Sequence, residues 1–298
     1  MGDEPLTPCV VVVTWQAAST VSACLASVPP DAHVIVVDNA SEDGTVEIVR
    51  AARPDAVVIE NQSNLGFAAA ANQGIRAASA LQDIVLLNPD AVLAPGAVAA
   101  LATFAAEHPR VAATSALIVD DHGRAERFAC GRDPTLLSVA VHEAGAGTIL
   151  PSLSLYRGGP SAQPEKVDWV AGTAVLLRRR ALDTVGLFDE RYFLYAEDID
   201  WCRRARQAGW ECWINPAAVA THAGSAAVSS AGNWVDRWRL GSLDTYIGET
   251  RGSAAQIATR AVRVAGALAR TVVFFVVGQR ERARARLRDA RTLVAAKW

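Results

Sequence analysis

The first 120 residues alternate short apolar runs with alanine-rich stretches of helical periodicity. Residues 9–13 are unbroken apolar, which predicts a strand buried on both faces, ending at Thr14. Similar runs follow at 33–37, 56–59, 84–87 and 111–119. Between them the periodicity predicts helices near 17–27, 43–53, 66–80 and 95–107, the last opened by Pro95-Gly96. Such alternation predicts an α/β fold built on a doubly wound, mostly parallel sheet. Ligands of these sheets sit beyond the carboxyl ends of the strands, which singles out Thr14, Asp38 and Asn88. From 128 to 166 the pattern gives way to Gly, Pro and Ser, including Gly158-Gly159-Pro160-Ser161, and loops over the site are expected there. Strand character returns at 167–177 and 211–214, separated by an acidic helix, and beyond about 230 the chain reads as helical.

Composition adds one asymmetry. The net charge is only −2, yet from Arg251 onward eleven Arg or Lys face Glu281 and Asp289, a net of +9 that leaves −11 on the rest. A basic tail on an acidic body predicts an anionic partner, and a membrane face or nucleic acid are the two choices. Ile257, Ala261, Val264, Leu268, Val272 and Phe275 share one helical face, with Arg260, Arg263 and Arg270 on another. Arg280, Arg284, Arg288 and Arg291 continue the basic surface beside a stripe of Ala283, Leu287, Ala290 and Val294. This is the pattern of an interfacial helix drawn to anionic lipid. The plainer alternative packs these helices on the body or on a second subunit as a homodimer. Five cysteines without CxxC spacing read as core residues in a reducing compartment. The acidic start lacks the features of a signal peptide, and the longest apolar run, 271–277, is too short to span a bilayer. The expected location is cytoplasmic, with peripheral contact to the inner face of the plasma membrane.

Candidate chemistry concentrates in residues 186–209. Glu197, Asp198 and Asp200 crowd the first turn of a helix that later carries Arg203, Arg204 and Arg206. Acids there complement the helix dipole, and Asp200 with Arg204 is an i,i+4 pair. The aromatic run Tyr192-Phe193-Leu194-Tyr195 beside them would desolvate a carboxylate and raise its pKa, as a general base requires. The first β–α turn reads Trp15-Gln16-Ala17-Ala18, so it is no dinucleotide fingerprint. Asp38 is expected to accept from a pyrimidine ring, whereas Ser41 and Asp43 read as turn and cap residues. Asn88-Pro89-Asp90 is a turn sequence at a strand tip, where a carboxylate is placed to hold a divalent cation. Asn88 brings no charge, so a second ligand is needed, and His222 is the candidate imidazole. Asn64 reads as a helix cap, Gly66 as a point of close ligand approach, and Asn72 as a mid-helix amide facing solvent or the cleft.

Taken in order, Asp38-Asn39…Asp43-Gly44, Asn64-x-Gly66…Asn72, Asn88-Pro89-Asp90, Gly172-Thr173 and Phe188-Asp189-Glu190…Glu197-Asp198 resemble a family 2 glycosyltransferase of the GT-A fold. The resemblance runs from about Val10 to His222. The Asn-Pro-Asp form and the Tyr-Phe-x-Tyr-x-Glu-Asp-x-Asp segment look most like bacterial rhamnosyltransferases, and the likeness extends to galactofuranosyltransferases of actinobacterial wall assembly. It implies a GT-A nucleotide-sugar-binding and catalytic domain over 1–228, with a helical, basic, membrane-associating extension over 229–298. It implies donor contacts from Thr14, Asp38, Asn39, Asn64, Gly66, Asn72 and Asn88. Trp169, Gly172, Thr173 and Glu197 would border the acceptor, and Asp198 would be the base of an inverting displacement. Asp90 and His222 would bind Mn²⁺ or Mg²⁺. The implied donor is a dTDP- or UDP-sugar, foremost dTDP-L-rhamnose, and the implied acceptor a cell-envelope glycan or polyprenyl-diphosphate-linked sugar; nucleic acid has no role. Two departures stand out. Asn88 replaces the first acid of the usual Asp-x-Asp, and Trp234 stands where the Gln-x-x-Arg-Trp signature of processive synthases has Gln, ahead of Arg237-Trp238. The alternatives are a UDP-dependent galactofuranosyl or hexosyl transferase, a nucleotidyltransferase, and an inactive sugar-nucleotide-binding protein.

Overall fold

The computed structural model describes residues 7–157, 162–222 and 233–295. The expected loop at 158–161 and the boundary at 228 lie outside the described residues, as do the side chains of Trp234 and Arg237. The first half alternates as its periodicity predicts: β1 (Cys9–Thr14), α1 (Val21–Ser27), β2 (Val34–Asp38), α2 (Thr45–Ala52), β3 (Val57–Glu60), α3 (Phe67–Ala77), β4 (Ile84–Leu87), β5 (Ala91–Leu93), α4 (Ala97–Glu107) and β6 (Val111–Val119). Next come β7 (Cys130–Gly131), α5 (Leu136–Glu143), β8 (Glu165–Val167), β9 (Trp169–Val170), β10 (Ala174–Leu177), α6 (Arg179–Val185), α7 (Glu197–Gln207) and β11 (Glu211–His222). Three helices close the chain: α8 (Asn233–Arg251), α9 (Ser253–Val276) and α10 (Arg280–Ala295).

A nine-stranded sheet runs in the order β3-β2-β1-β4-β10-β6-β11-β5, with β8 also on β11. The four strands from β3 to β4 are parallel, β10 is antiparallel to both β4 and β6, and β6 pairs in parallel with β11. Strands β1, β2 and β4 are buried along their whole length, because helices cover both faces. Two apolar layers result. One holds Val11, Ile35, Ile75, Leu86 and Trp201, the other Val10, Leu25, Val36, Leu101 and Ile118. The parallel strands bring Thr14, Asp38 and Leu87 to one edge of the sheet, and the cleft opens there.

Three expectations change. The loop region at 128–166 contains α5, whose start is fixed by a reciprocal capping box between Thr135 and Ser138. The single strand expected at 167–177 is broken into β8, β9 and β10, and the strand at 211–214 runs on to His222 across a register shift after Asn215. All five cysteines are free and buried, as core residues should be.

Candidate active site

Beyond the strand tips lies a cavity of about 660 Å³. Its walls include Thr14, Asn39, Asn64, Gly66, Asn88, Asp90, Trp169, Thr173, Asp198 and His222. Asp38 is not part of the wall. Its Oδ1 accepts from Thr14 Oγ1 at 2.7 Å and Ser41 Oγ at 2.6 Å, and its Oδ2 accepts from the Ser41 amide at 2.8 Å. The carboxylate is spent on fixing the turn and on aiming Thr14. Ser41 caps no helix; it ties the Gln16 amide to Asp38. Asp43 forms a turn before α2, accepting from the Thr45 amide and hydroxyl, while the cap position itself falls to Gly44. Asn39 is 2% exposed and donates to the Gly66 carbonyl while accepting from Asn61, so this wall is a closed mesh.

The Asn64 side chain accepts from the Gly66 amide at 2.9 Å, an Asx turn leading into α3. Gly66 has φ of +86°, and a Cβ there would lie 2.4 Å from the Phe193 carbonyl oxygen. The close approach expected at Gly66 is therefore to another part of the chain: the Phe67 amide donates to that same carbonyl at 2.7 Å. Asn72 does not face the cleft. It is 1% exposed and clasps the Phe188 backbone from both sides, donating to its carbonyl at 2.9 Å and accepting from its amide at 3.0 Å. A buried mid-helix amide needs such partners, and these are supplied 116 residues away.

Asn88, Pro89 and Asp90 form the expected turn, closed by the Ala91 amide on the Asn88 carbonyl. Asp90 Oδ1 stands 3.3 Å from His222 Nε2, and the other ring nitrogen lies 3.0 Å from Glu126 Oε1. Burial pulls the imidazole pKa down, but the two carboxylates outweigh it and raise the value to about 10. The ring sits between two acids, which favour its charged form. Glu126 was not anticipated; it lies in the turn after β6, and no local pattern marks it.

The opposite wall is the start of α7. Phe193, Leu194 and Tyr195 line the cavity, whereas Tyr192 turns inward to pack with Val139 and Tyr246. Asp198 lines the cavity too. Burial raises its pKa to about 6, against the pull of amide hydrogens from Ile199, its own backbone and Gly172. Glu197 is 5% exposed, away from the cavity wall, and one of its oxygens has no hydrogen-bond partner. Burial and then the charge of Asp198 push its pKa well up, so the pair ionises at Asp198 first. Asp200 follows the plainer reading, bonded to Arg204 at 2.8 Å.

Backbone strain gathers at the same rim. Among the described residues, the non-glycine positions with positive φ are Gln16 (51°), Ala40 (61°), Tyr195 (67°) and Ala196 (67°). Two follow the tips of β1 and β2, and two precede α7. Strained backbone held in place by its surroundings is a common trait of sites.

At the far end, Trp169 is buried, its indole donating to the Arg132 carbonyl at 2.8 Å, and Thr173 accepts from the Asn88 amide. Residues the sequence reading missed also line this end: Phe128, His142, Tyr156, Arg239, Leu243 and Arg286. Burial, then the charges of Arg270, Arg286, Arg263 and Arg127, depress His142 to about 4. Arginine side chains therefore border this end of the cavity. Arg239 and Arg286 come from α8 and α10 and share the buried Asp289. Trp238 of α8 stacks on Phe193 at 4.6 Å. The C-terminal helices thus complete the cavity.

Comparison with known proteins gives the family. The model of glycosyl transferase family 2 matches residues 9–186. An N-acetylglucosaminyl-diphospho-decaprenol L-rhamnosyltransferase of Mycobacterium tuberculosis is 32% identical over 233 residues, 72% of this chain and 75% of that protein. Rhamnosyltransferase WbbL of Escherichia coli is 35% identical over 104 residues, 35% of this chain and 37% of WbbL. Among solved structures, the mannosyltransferase PcManGT from Pyrobaculum calidifontis, in complex with GDP-Man and Mn²⁺, superposes with a TM-score of 0.57 at 20% identity, covering 98% of this chain and 76% of that one. That last likeness concerns the fold, which is of the GT-A type. With a family model matching residues 9–186 and a relative 32% identical over 233 residues, the chain belongs to glycosyl transferase family 2.

Proposed function

We propose that this glycosyltransferase moves L-rhamnose from a nucleoside-diphosphate donor, dTDP-L-rhamnose, to a hydroxyl of a polyprenyl-diphosphate-linked sugar, with inversion. One observation carries the reading: a single cavity holds Asp198, at a pKa of about 6, together with the Asp90–His222 pair. The relatives named as rhamnosyltransferases support the choice of sugar, and the decaprenol-linked substrate in one of those names supports the class of acceptor.

A divalent cation fits the donor set. Asp90 offers a carboxylate oxygen and His222 an imidazole nitrogen, 3.3 Å apart. Glu126, on the other ring nitrogen, would hold the proton on Nδ1 when a cation takes the place of the one on Nε2. Among the described residues no group of three or more His, Cys, Asp or Glu is arranged to hold a metal, so the donor diphosphate would complete the coordination. When bound, Mn²⁺ or Mg²⁺ would offset the charge that builds on the diphosphate as the sugar departs.

The remaining roles fall to the chain itself. Thr14, aimed by Asp38, and Asn39, Asn64 and Asn88 form the donor wall. Trp169, Thr173 and the aromatic run before α7 form the acceptor wall. Asp198 takes the proton of the acceptor hydroxyl as its oxygen attacks the anomeric carbon, so no covalent enzyme intermediate is required. Its pKa is low enough to ionise near neutrality and high enough to accept a proton. Burial and the charge of Asp198 favour the protonated form of Glu197 behind it.

Calorimetry of a nucleotide-sugar panel, with and without Mn²⁺, tests this directly. Selective, metal-dependent binding of dTDP-L-rhamnose is expected. Preference for a UDP-sugar would retain the transferase and discard rhamnose; no binding to any donor would favour an inactive scaffold.

A further inference from the structure

Helix α9 is amphipathic and folds with its polar side inward. Arg263, 5% exposed, donates to Asp244 Oδ1 at 2.6 Å and to the Leu240 carbonyl at 3.0 Å. Arg260 donates to the other Asp244 oxygen at 2.6 Å, and Arg270 pairs with Glu143 of α5. The three α9 arginines expected to attract lipid are thus paired with acids of the protein itself. The outer side carries Ile257 (68% exposed), Leu268 (45%), Val272 (63%), Phe275 (66%) and Val276 (77%). With Ala261 and Ala265, also exposed, they form one uncharged stripe about 28 Å long. A contiguous apolar surface of this kind marks an interaction site.

We propose that this stripe docks on a bilayer containing anionic lipid, with α9 lying in the plane of the headgroups. Charge complementarity selects the occupant. Directly after the stripe, α10 exposes Arg280, Arg282, Arg284, Arg288 and Arg291, with Glu281 as the exposed acid among its described residues. A second copy of the chain would set this cationic array against itself, whereas anionic headgroups neutralise it. No described helix is long and apolar enough to cross a membrane, which fits a helix lying in the interface. Arg286 of α10 reaches the cavity, so the helix bearing the basic surface also walls the site. Docking therefore brings the arginine-bordered end of the cavity toward the lipid–water boundary. This holds whichever sugar is transferred.

Sedimentation with phosphatidylcholine vesicles, with and without phosphatidylglycerol, tests the surface. The full chain is expected to partition onto phosphatidylglycerol vesicles at least about tenfold more strongly, and salt should weaken the binding. Combining Val272→Ser, Phe275→Ser and Val276→Ser should cut partitioning at least about tenfold with the melting temperature unchanged. Combining Arg280→Gln, Arg284→Gln and Arg288→Gln should remove the preference for phosphatidylglycerol. Equal binding to both vesicles, or variants that bind like the parent, overturns the proposal. So does a concentration-dependent dimer, seen by light scattering, that the serine substitutions abolish; the stripe would then belong to a second copy.

Discussion

The two rims of the cavity are built on opposite principles. On the rim formed by β1 and β2, polar groups are paired: Thr14 with Asp38, Asp38 with Ser41, and Asn39 with Gly66 and Asn61. On the rim formed by α7, two neighbouring carboxylates are desolvated, one has an unpartnered oxygen, and two residues before them hold left-handed backbone. The first rim is suited to binding a ligand without rearrangement. The second stores unfavourable energy that proton transfer can use. A buried carboxylate is costly, and a protein keeps one where chemistry needs it.

The largest break in this contrast should come from Asp198→Asn. Turnover should fall by about 10³-fold, within the range for loss of a general base, while donor affinity measured by calorimetry stays within about twofold. Comparable losses in both would mean that Asp198 belongs to the binding rim.

Gly66→Ala attacks the point where the rims meet. The new methyl would sit 2.4 Å from the Phe193 carbonyl on a backbone with φ of +86°, so a loss of about 3 kcal/mol of stability is expected in urea unfolding. A loss below about 1 kcal/mol would show that the aromatic run moves freely away from α3.

A smaller effect sharpens the energetic side. The Asp198 pKa of about 6 lies above its ordinary value of 3.8, so the folded state binds this proton more tightly than the unfolded chain. The stability that protonation adds is therefore present below about pH 4 and is lost as pH rises to about 6. Asp198→Asn should flatten that segment and be about 2 kcal/mol more stable at pH 7, measured by thermal unfolding across pH. The same titration should make the activity of the parent protein decline below about pH 6. An unchanged stability profile would place Asp198 in water rather than in a desolvated wall.

The parallel strands were legible because burial on both faces writes itself as an unbroken apolar run, as in β1 and β4. The acidic start of α7 and the Asn-Pro-Asp turn were legible for a similar reason: their signals are local. Other features depend on contacts distant in sequence. Glu126 meets His222 across 96 residues, and Asn72 meets Phe188 across 116, so neither role leaves a trace in its own neighbourhood. Helix α5 was hidden in a stretch read as loop, although its Thr135–Ser138 cap offered a start signal. For α9 the periodicity identified the two faces but not which would be buried. Asp244 and Glu143 decided that by drawing the arginines inward.

The strand order also sets a timetable for synthesis. β10 lies between β4 and β6, yet it is made after both. Until residue 177 has emerged, β4 keeps an unpaired edge and β6 has no strand beside it, because its other neighbour, β11, is made later still. At about 5–20 residues per second, the 58 residues after β6 take roughly 3–12 s to make. Slower translation of this stretch would prolong the exposure of those edges and show itself first as aggregation of nascent chains.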